Sequence, residues 1–118
     1  MPVSAWTAAA DVDAFVDGAG SGVIYKHSSA CSISAIVRER AWESFLAAQP
    51  DVPVYEVLVI EHRDASHRVA ERLDVRHESP QAIVVRNGRA IWDASHLRIT
   101  AEALARAWAL VEKDGGAT

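Results

Sequence analysis

The run from Val54 to Ile60 constrains this chain more than any other segment. Successive positions are mostly apolar, so neither face of a strand built from it can be left in water. Such a strand belongs inside a sheet covered by helices on both sides. With 118 residues, half of them hydrophobic, the chain has material for one layered domain of this kind. A single domain over residues 1–118 is expected, with the tail from Asp114 to Thr118 frayed.

The flanking segments supply the layers. Ala8 to Asp17 predicts a helix with Val12, Phe15 and Val16 on its apolar side, ended by Gly18 and Gly20. Gly22 to Lys26 reads as a short buried strand, with β-branched and aromatic residues after a glycine-rich turn. A polar loop from His27 to Ala30 then delivers Cys31. A helix starts near there, with Ile33, Ile36, Val37, Ala41 and Phe45 as its apolar stripe; Pro50 and Pro53 bracket its exit. Asp64 is the expected N-cap of the next helix, which carries Ser66, Val69, Ala70 and Leu73 at helical spacing. Gln81 to Arg86 reads as a strand. Asn87-Gly88 is a two-residue hairpin signal, and Arg89 to Asp93 returns antiparallel. Thr100 caps a last helix that buries Leu104, Ala107, Trp108 and Val111.

The first half is therefore βαβ, with parallel strands joined by a right-handed crossover, and the second half is ββα. The expected architecture is α/β, a mixed central sheet with helices on both faces. This arrangement is that of the thioredoxin fold.

Charge and cysteine usage narrow the function. Twelve basic residues are scattered among sixteen acidic ones, for a formal net charge of -4. That argues against a nucleic-acid or anionic-membrane partner, which calls for clustered Lys and Arg. The first residues carry no basic cluster before an apolar run, and Asp11 and Asp13 come early, so no secretory signal is expected. No apolar run approaches the roughly 20 residues that span a bilayer. One cysteine can form neither an internal disulfide nor a cysteine-based zinc framework, and a reducing, cytoplasmic location is expected.

Cys31 falls at a strand–loop–helix junction. Free N–H groups and the helix dipole favour negative charge there, and a thiolate is the nucleophile of disulfide exchange. Lys26 precedes the loop and adds positive potential; His27 does so when protonated. Ser28, Ser29, Ser32 and Ser34 make the surroundings polar. The competing reading is a small buried hydrophobe, the usual fate of a lone cysteine. Cys31 and Ser34 form a Cys-x-x-Ser pattern. Such a site cannot close its own disulfide, but it can take over a small thiol and wait for a second thiol to release it. Ser34 is placed to hydrogen-bond the sulfur from the next turn, unless it is merely a solvated helix serine. Ser79-Pro80 precedes a strand and follows a helix, the slot that holds a cis proline facing the active cysteine in thioredoxin-like folds; a trans proline opening a strand is the plain alternative.

Other candidates are read as structural. His62, His67, His77 and His96 show no metal-ligand spacing such as H-x-x-x-H, so no metal is expected. Glu78 beside His77 is a candidate ion-paired loop anchor. Asp11, Asp13 and Asp17 read as a solvated helix face, and the four Trp residues as core or interface.

Three segments together resemble a known family: Lys26-His27-Ser28-Ser29-Ala30-Cys31-Ser32-Ile33-Ser34, His77-Glu78-Ser79-Pro80-Gln81 and Ala94-Ser95-His96. In order and spacing, from about Trp6 to Trp108, they resemble the YtxJ-like family, described as monothiol bacilliredoxins of the bacillithiol system. The resemblance implies a cytoplasmic thioredoxin-fold protein with Cys31 as its single active cysteine. It implies removal of bacillithiol, or a similar low-molecular-weight thiol, from protein mixed disulfides. Lys26, His27, Ser28, Ser34, His77, Ser79 and Pro80 would stabilise the thiolate or bind substrate. The partners implied are S-thiolated proteins, the small thiol as co-substrate and a reductase, with no tightly bound cofactor. The family typically has Cys-Pro-Ile-Ser, often after Arg. Here Ala30 precedes Cys31-Ser32-Ile33-Ser34, which removes a rigid helix start and a charge near the thiolate. Two other readings stay open: a thiol-cofactor or iron–sulfur binding module of the monothiol glutaredoxin type, and a thioredoxin-fold interaction protein with an inert cysteine.

Overall fold

A computed structural model describes residues 3–28 and 32–116, with side chains through residue 112. Five strands form one sheet in the order β1-β3-β2-β4-β5. These are β1 (Val3–Ala5), β2 (Gly22–His27), β3 (Val54–Leu58), β4 (Gln81–Arg86) and β5 (Arg89–Ser95). The first three are mutually parallel, and β4 and β5 run antiparallel to them as a hairpin. The expected mixed sheet is present, with the Val54 run inside it. β1 is an addition: three exposed residues gave no periodicity to read, and their partner strand alone makes them a strand.

Helices cover both faces. On one face α1 (Ala9–Asp17) and α4 (Arg63–Leu73) pack over Ile24, Val57, Ile83 and Val85, with Val12, Ala65, Val69 and Leu73 reaching down. On the other lies a continuous helical run from Ser32 to Ala48, beside α5 (Ala101–Gly116). That run is α2 (Ser32–Val37), a π-helical segment (Arg38–Trp42) and α3 (Glu43–Ala48). Val37, Ala41, Trp42, Phe45, Leu104 and Trp108 pack there against Val23, Tyr25, Ala82 and Val84. α5 runs into the segment expected to fray.

The π segment accounts for one departure. A π turn adds a residue to the helical repeat and rotates the buried face. Ser34, Val37, Ala41, Trp42 and Phe45 point inward, whereas Ile33 and Ile36, expected on the core stripe, are exposed at 37% and 42%. Two other expectations are corrected. α4 begins at Arg63 after His62, so Asp64 lies inside its first turn, where its charge suits the dipole. The α1 aspartates do not simply face solvent. Asp11 Oδ2 accepts from the backbone N–H groups of Thr7 and Ala8 at 3.0 and 3.1 Å. Asp13 and Asp17 accept from Arg72 at 2.7 and 2.5 Å, pinning α1 to α4.

The expected turn and cap are in place. Asn87 and Gly88 both adopt positive φ between β4 and β5, as a primed hairpin turn requires. Thr100 Oγ1 accepts from the Ala103 N–H at 3.1 Å, opening α5. No described helix is long and apolar enough to cross a membrane.

Candidate functional site

Strand register brings the three motif segments together. Lys26 of β2 pairs with Gln81 of β4, and Gln81 pairs with Ser95 of β5. One row across the sheet thus joins the first residue of the first motif, the last residue of the second, and the third. The Ser79-Pro80 peptide is cis, as the fold implies, and Pro80 is buried. Its carbonyl accepts from the His96 N–H at 3.0 Å, which ties the proline to the turn after β5. Cys31 lies outside the described residues; it is bonded to Ser32, the first residue of α2.

Alternation along β2 sends its last side chains to opposite faces. His27 shares a face with Tyr25 and stacks on it at 4.4 Å between ring centroids. His27 Nε2 lies 3.0 Å from Glu56 Oε2, an acidic residue in an otherwise apolar strand. The Tyr25 hydroxyl points toward the Ser34 carbonyl at 3.5 Å, and burial pushes its pKa up to about 12, with Arg38 opposing and Glu56 adding to the rise. Ser34 is buried, and its Oγ accepts from the Ser28 N–H at 3.4 Å. This bond ties the end of β2 to the first turns of α2, on either side of Cys31 in the sequence.

Lys26 takes the opposite face. It is fully buried, and its ammonium is directed toward α4. Nζ donates to the Ser66 carbonyl at 3.2 Å and to His77 Nδ1 at 2.8 Å. Burial pulls the Lys26 pKa down to about 8. His77 is lowered by its own desolvation, then by the cations of Lys26 and His67, while Glu78 acts the other way. The expected Glu78–His77 anchor is replaced by this lysine contact. Gln81 sits beside Lys26 on the same face; its amide donates to the Arg76 carbonyl at 3.0 Å, and its buried Oε1 has no partner among the described residues.

Packing thus joins Lys26 to His77 on one face of the sheet and His27, Ser28 and Ser34 on the other, while Ser79 and Pro80 lead into β4 just before Gln81, the partner of Lys26. The sequence reading missed Ser66, Glu56 and Tyr25. Glu56 and Lys26 carried a signal, as single charges within runs otherwise read as buried strand. Ser66 carried none, because it acts through its backbone carbonyl. Among the described residues, no three His, Cys, Asp or Glu side chains gather where a metal ion could sit.

The fold and this junction define a class, the thioredoxin-fold thiol redox proteins. A solved structure described as a candidate oxidoreductase with a thioredoxin fold aligns with a TM-score of 0.78 at 30% identity, covering 89% of this chain and 92% of that one. Thioredoxin from Fasciola hepatica aligns at 0.67 with 14% identity, over 93% of this chain and 97% of its own. Mitochondrial thioredoxin 3 from Saccharomyces cerevisiae aligns at 0.66 with 17% identity, over 88% and 91%. These last two speak for the fold alone. The family described as monothiol bacilliredoxin BrxC matches residues 5–104, and the chain belongs to that family.

Proposed function

We propose that this protein removes bacillithiol, or a low-molecular-weight thiol like it, from mixed disulfides on cytoplasmic proteins, using Cys31 as the only sulfur nucleophile. The observation that carries the reading is the row Lys26–Gln81–Ser95, which sets one residue of each motif segment side by side at the end of β2, where Lys26 stands five residues before Cys31 in the chain. Family membership gives the thiol chemistry, and a single cysteine restricts it to exchange with an external thiol. The Cys31 thiolate attacks the small thiol's sulfur in the mixed disulfide. The sulfur–sulfur bond to the target breaks, and the target cysteine leaves reduced. Cys31 then holds the small thiol until a second small thiol, or a reductase, frees it. The helical run from Ser32 favours a thiolate at its start. In this reading the backbone of Ser79, which leads into β4, pairs with the substrate backbone.

The test is mass spectrometry after incubation with a bacillithiolated protein. The expected result is a gain of one bacillithiol on Cys31 and a free target thiol, with Cys31→Ser inactive and still folded. Transfer that survives Cys31→Ser refutes the reading.

A further inference from the structure

Lys26 is the only Lys or Arg side chain that is buried among the described residues, and none of its contacts there is a carboxylate. Taking an ammonium out of water without a counter-ion is costly, so what it touches is informative. Its ammonium donates to a backbone carbonyl, which cannot take a proton, and to an imidazole nitrogen, which can. A nitrogen that accepts from an ammonium must present a bare lone pair, and this places the ring proton of neutral His77 on Nε2. The His77 ring is exposed, and no described residue bonds Nε2. Two residues further on lies the cis Ser79-Pro80 peptide.

From this geometry we infer that Lys26 and His77 form a proton relay, in which the Lys26 ammonium passes a proton to His77 Nδ1 while His77 Nε2–H protonates a thiolate beside Ser79-Pro80, and which runs backwards to deprotonate a thiol. The inference rests on the thiol-exchange reading above. An isolated neutral imidazole is far too weak an acid to protonate a thiolate. Coupled to Lys26, the effective acid is the ammonium. With its pKa held near 8 by burial, it matches an ordinary thiol of about 8.5, so the transfer is close to balanced both ways. The other titratable groups acting on His77 are His67 of α4, which like Lys26 disfavours the imidazolium, and Glu78, which favours it.

The protons balance over one cycle. When the Cys31 thiolate displaces the target, the leaving thiolate takes the relay's proton and Lys26 is left as a neutral amine. The second small thiol then returns a proton through His77 to Lys26. Its thiolate attacks the disulfide on Cys31, releasing the oxidised small thiol and the Cys31 thiolate. The target sulfur is reduced by one electron and the second small thiol's sulfur is oxidised by one, the net change being one thiol–disulfide exchange, and the protein ends as it began. His77 would be the catalytic residue and Lys26 its positioning and proton-supplying partner.

Two measurements test this. The first is nitrogen-15 NMR of His77, which reads the pair without any redox turnover. The expected spectrum is the Nε2–H tautomer at neutral pH with a second inflection near pH 8, and both features disappear in Lys26→Met. The second is single-turnover release of target thiol from a bacillithiolated protein by wild type, His77→Gln and Lys26→Met, with circular dichroism as a check of folding. The expected result is release about tenfold slower in both variants at neutral pH, with the inflection near pH 8 lost. An Nδ1–H tautomer in the wild type overturns the relay. So does an unchanged rate and pH profile in His77→Gln while the wild type exchanges normally. If the wild type itself transfers no thiol, the thiol-exchange reading falls and the relay falls with it.

Discussion

Replacing Lys26 with Met should make the protein more stable at neutral pH, an unusual expectation for a fully buried residue with two good hydrogen bonds. The folded state holds the lysine pKa at about 8, against an ordinary value of 10.5. At about 1.36 kcal/mol per unit, keeping that ammonium charged inside the fold costs about 3 kcal/mol at pH 7. Methionine removes the cost and fills similar space, but forfeits the bonds to the Ser66 carbonyl and His77 Nδ1, each worth about 1 kcal/mol net. The balance favours the variant by about 1 kcal/mol. The sign follows from proton binding. Below about pH 8 the lysine is charged in both states and the full cost is present. Between 8 and 10.5 the unfolded chain keeps a proton that the folded chain has released, so wild-type stability rises with pH relative to the variant. The gap should therefore shift toward wild type by about 2 kcal/mol between pH 7 and pH 9.5. Urea unfolding of both proteins at the two pH values measures it. A variant less stable at pH 7, or a gap that does not move with pH, refutes the reasoning.

Two further substitutions test the packing that holds the site in place. Phe45→Ala empties a site that is 1% exposed beneath the π segment; urea unfolding should show a loss of about 3–5 kcal/mol. Gly88→Ala puts a side chain at φ +79, with its Cβ only 2.9 Å from the Val16 carbonyl oxygen; the cost should be about 1–2 kcal/mol, seen as a lower midpoint with an unchanged slope.

Much of the fold was legible because its signals are local. The Asn87-Gly88 turn, the Thr100 cap and the buried face of α5 each depend on residues a few positions apart, and periodicity or turn chemistry reports them directly. The failures share one cause. Ile33 and Ile36 have the spacing of a core stripe, but the π segment rotates the helix and leaves them in water. Asp13 and Asp17 look like any solvated acidic face until α4 lays Arg72 across them. β1 is a strand only because β3 is beside it.

The sequence by itself determined the α/β class, the covered sheet, the single cysteine and the three motifs that resemble the bacilliredoxin family. Tertiary structure alone decided how those motifs meet. Antiparallel register sets Lys26 against Gln81 and Gln81 against Ser95, a pairing between residues more than fifty positions apart for the first of these. Strand alternation then sends Lys26 and His27 to opposite faces, although they are neighbours in the chain. The lysine that seemed ready to supply charge at the loop is instead sealed beneath α4 against His77. Direction of a side chain depends on which strand lies alongside and which helix covers the face, and neither is written in local spacing.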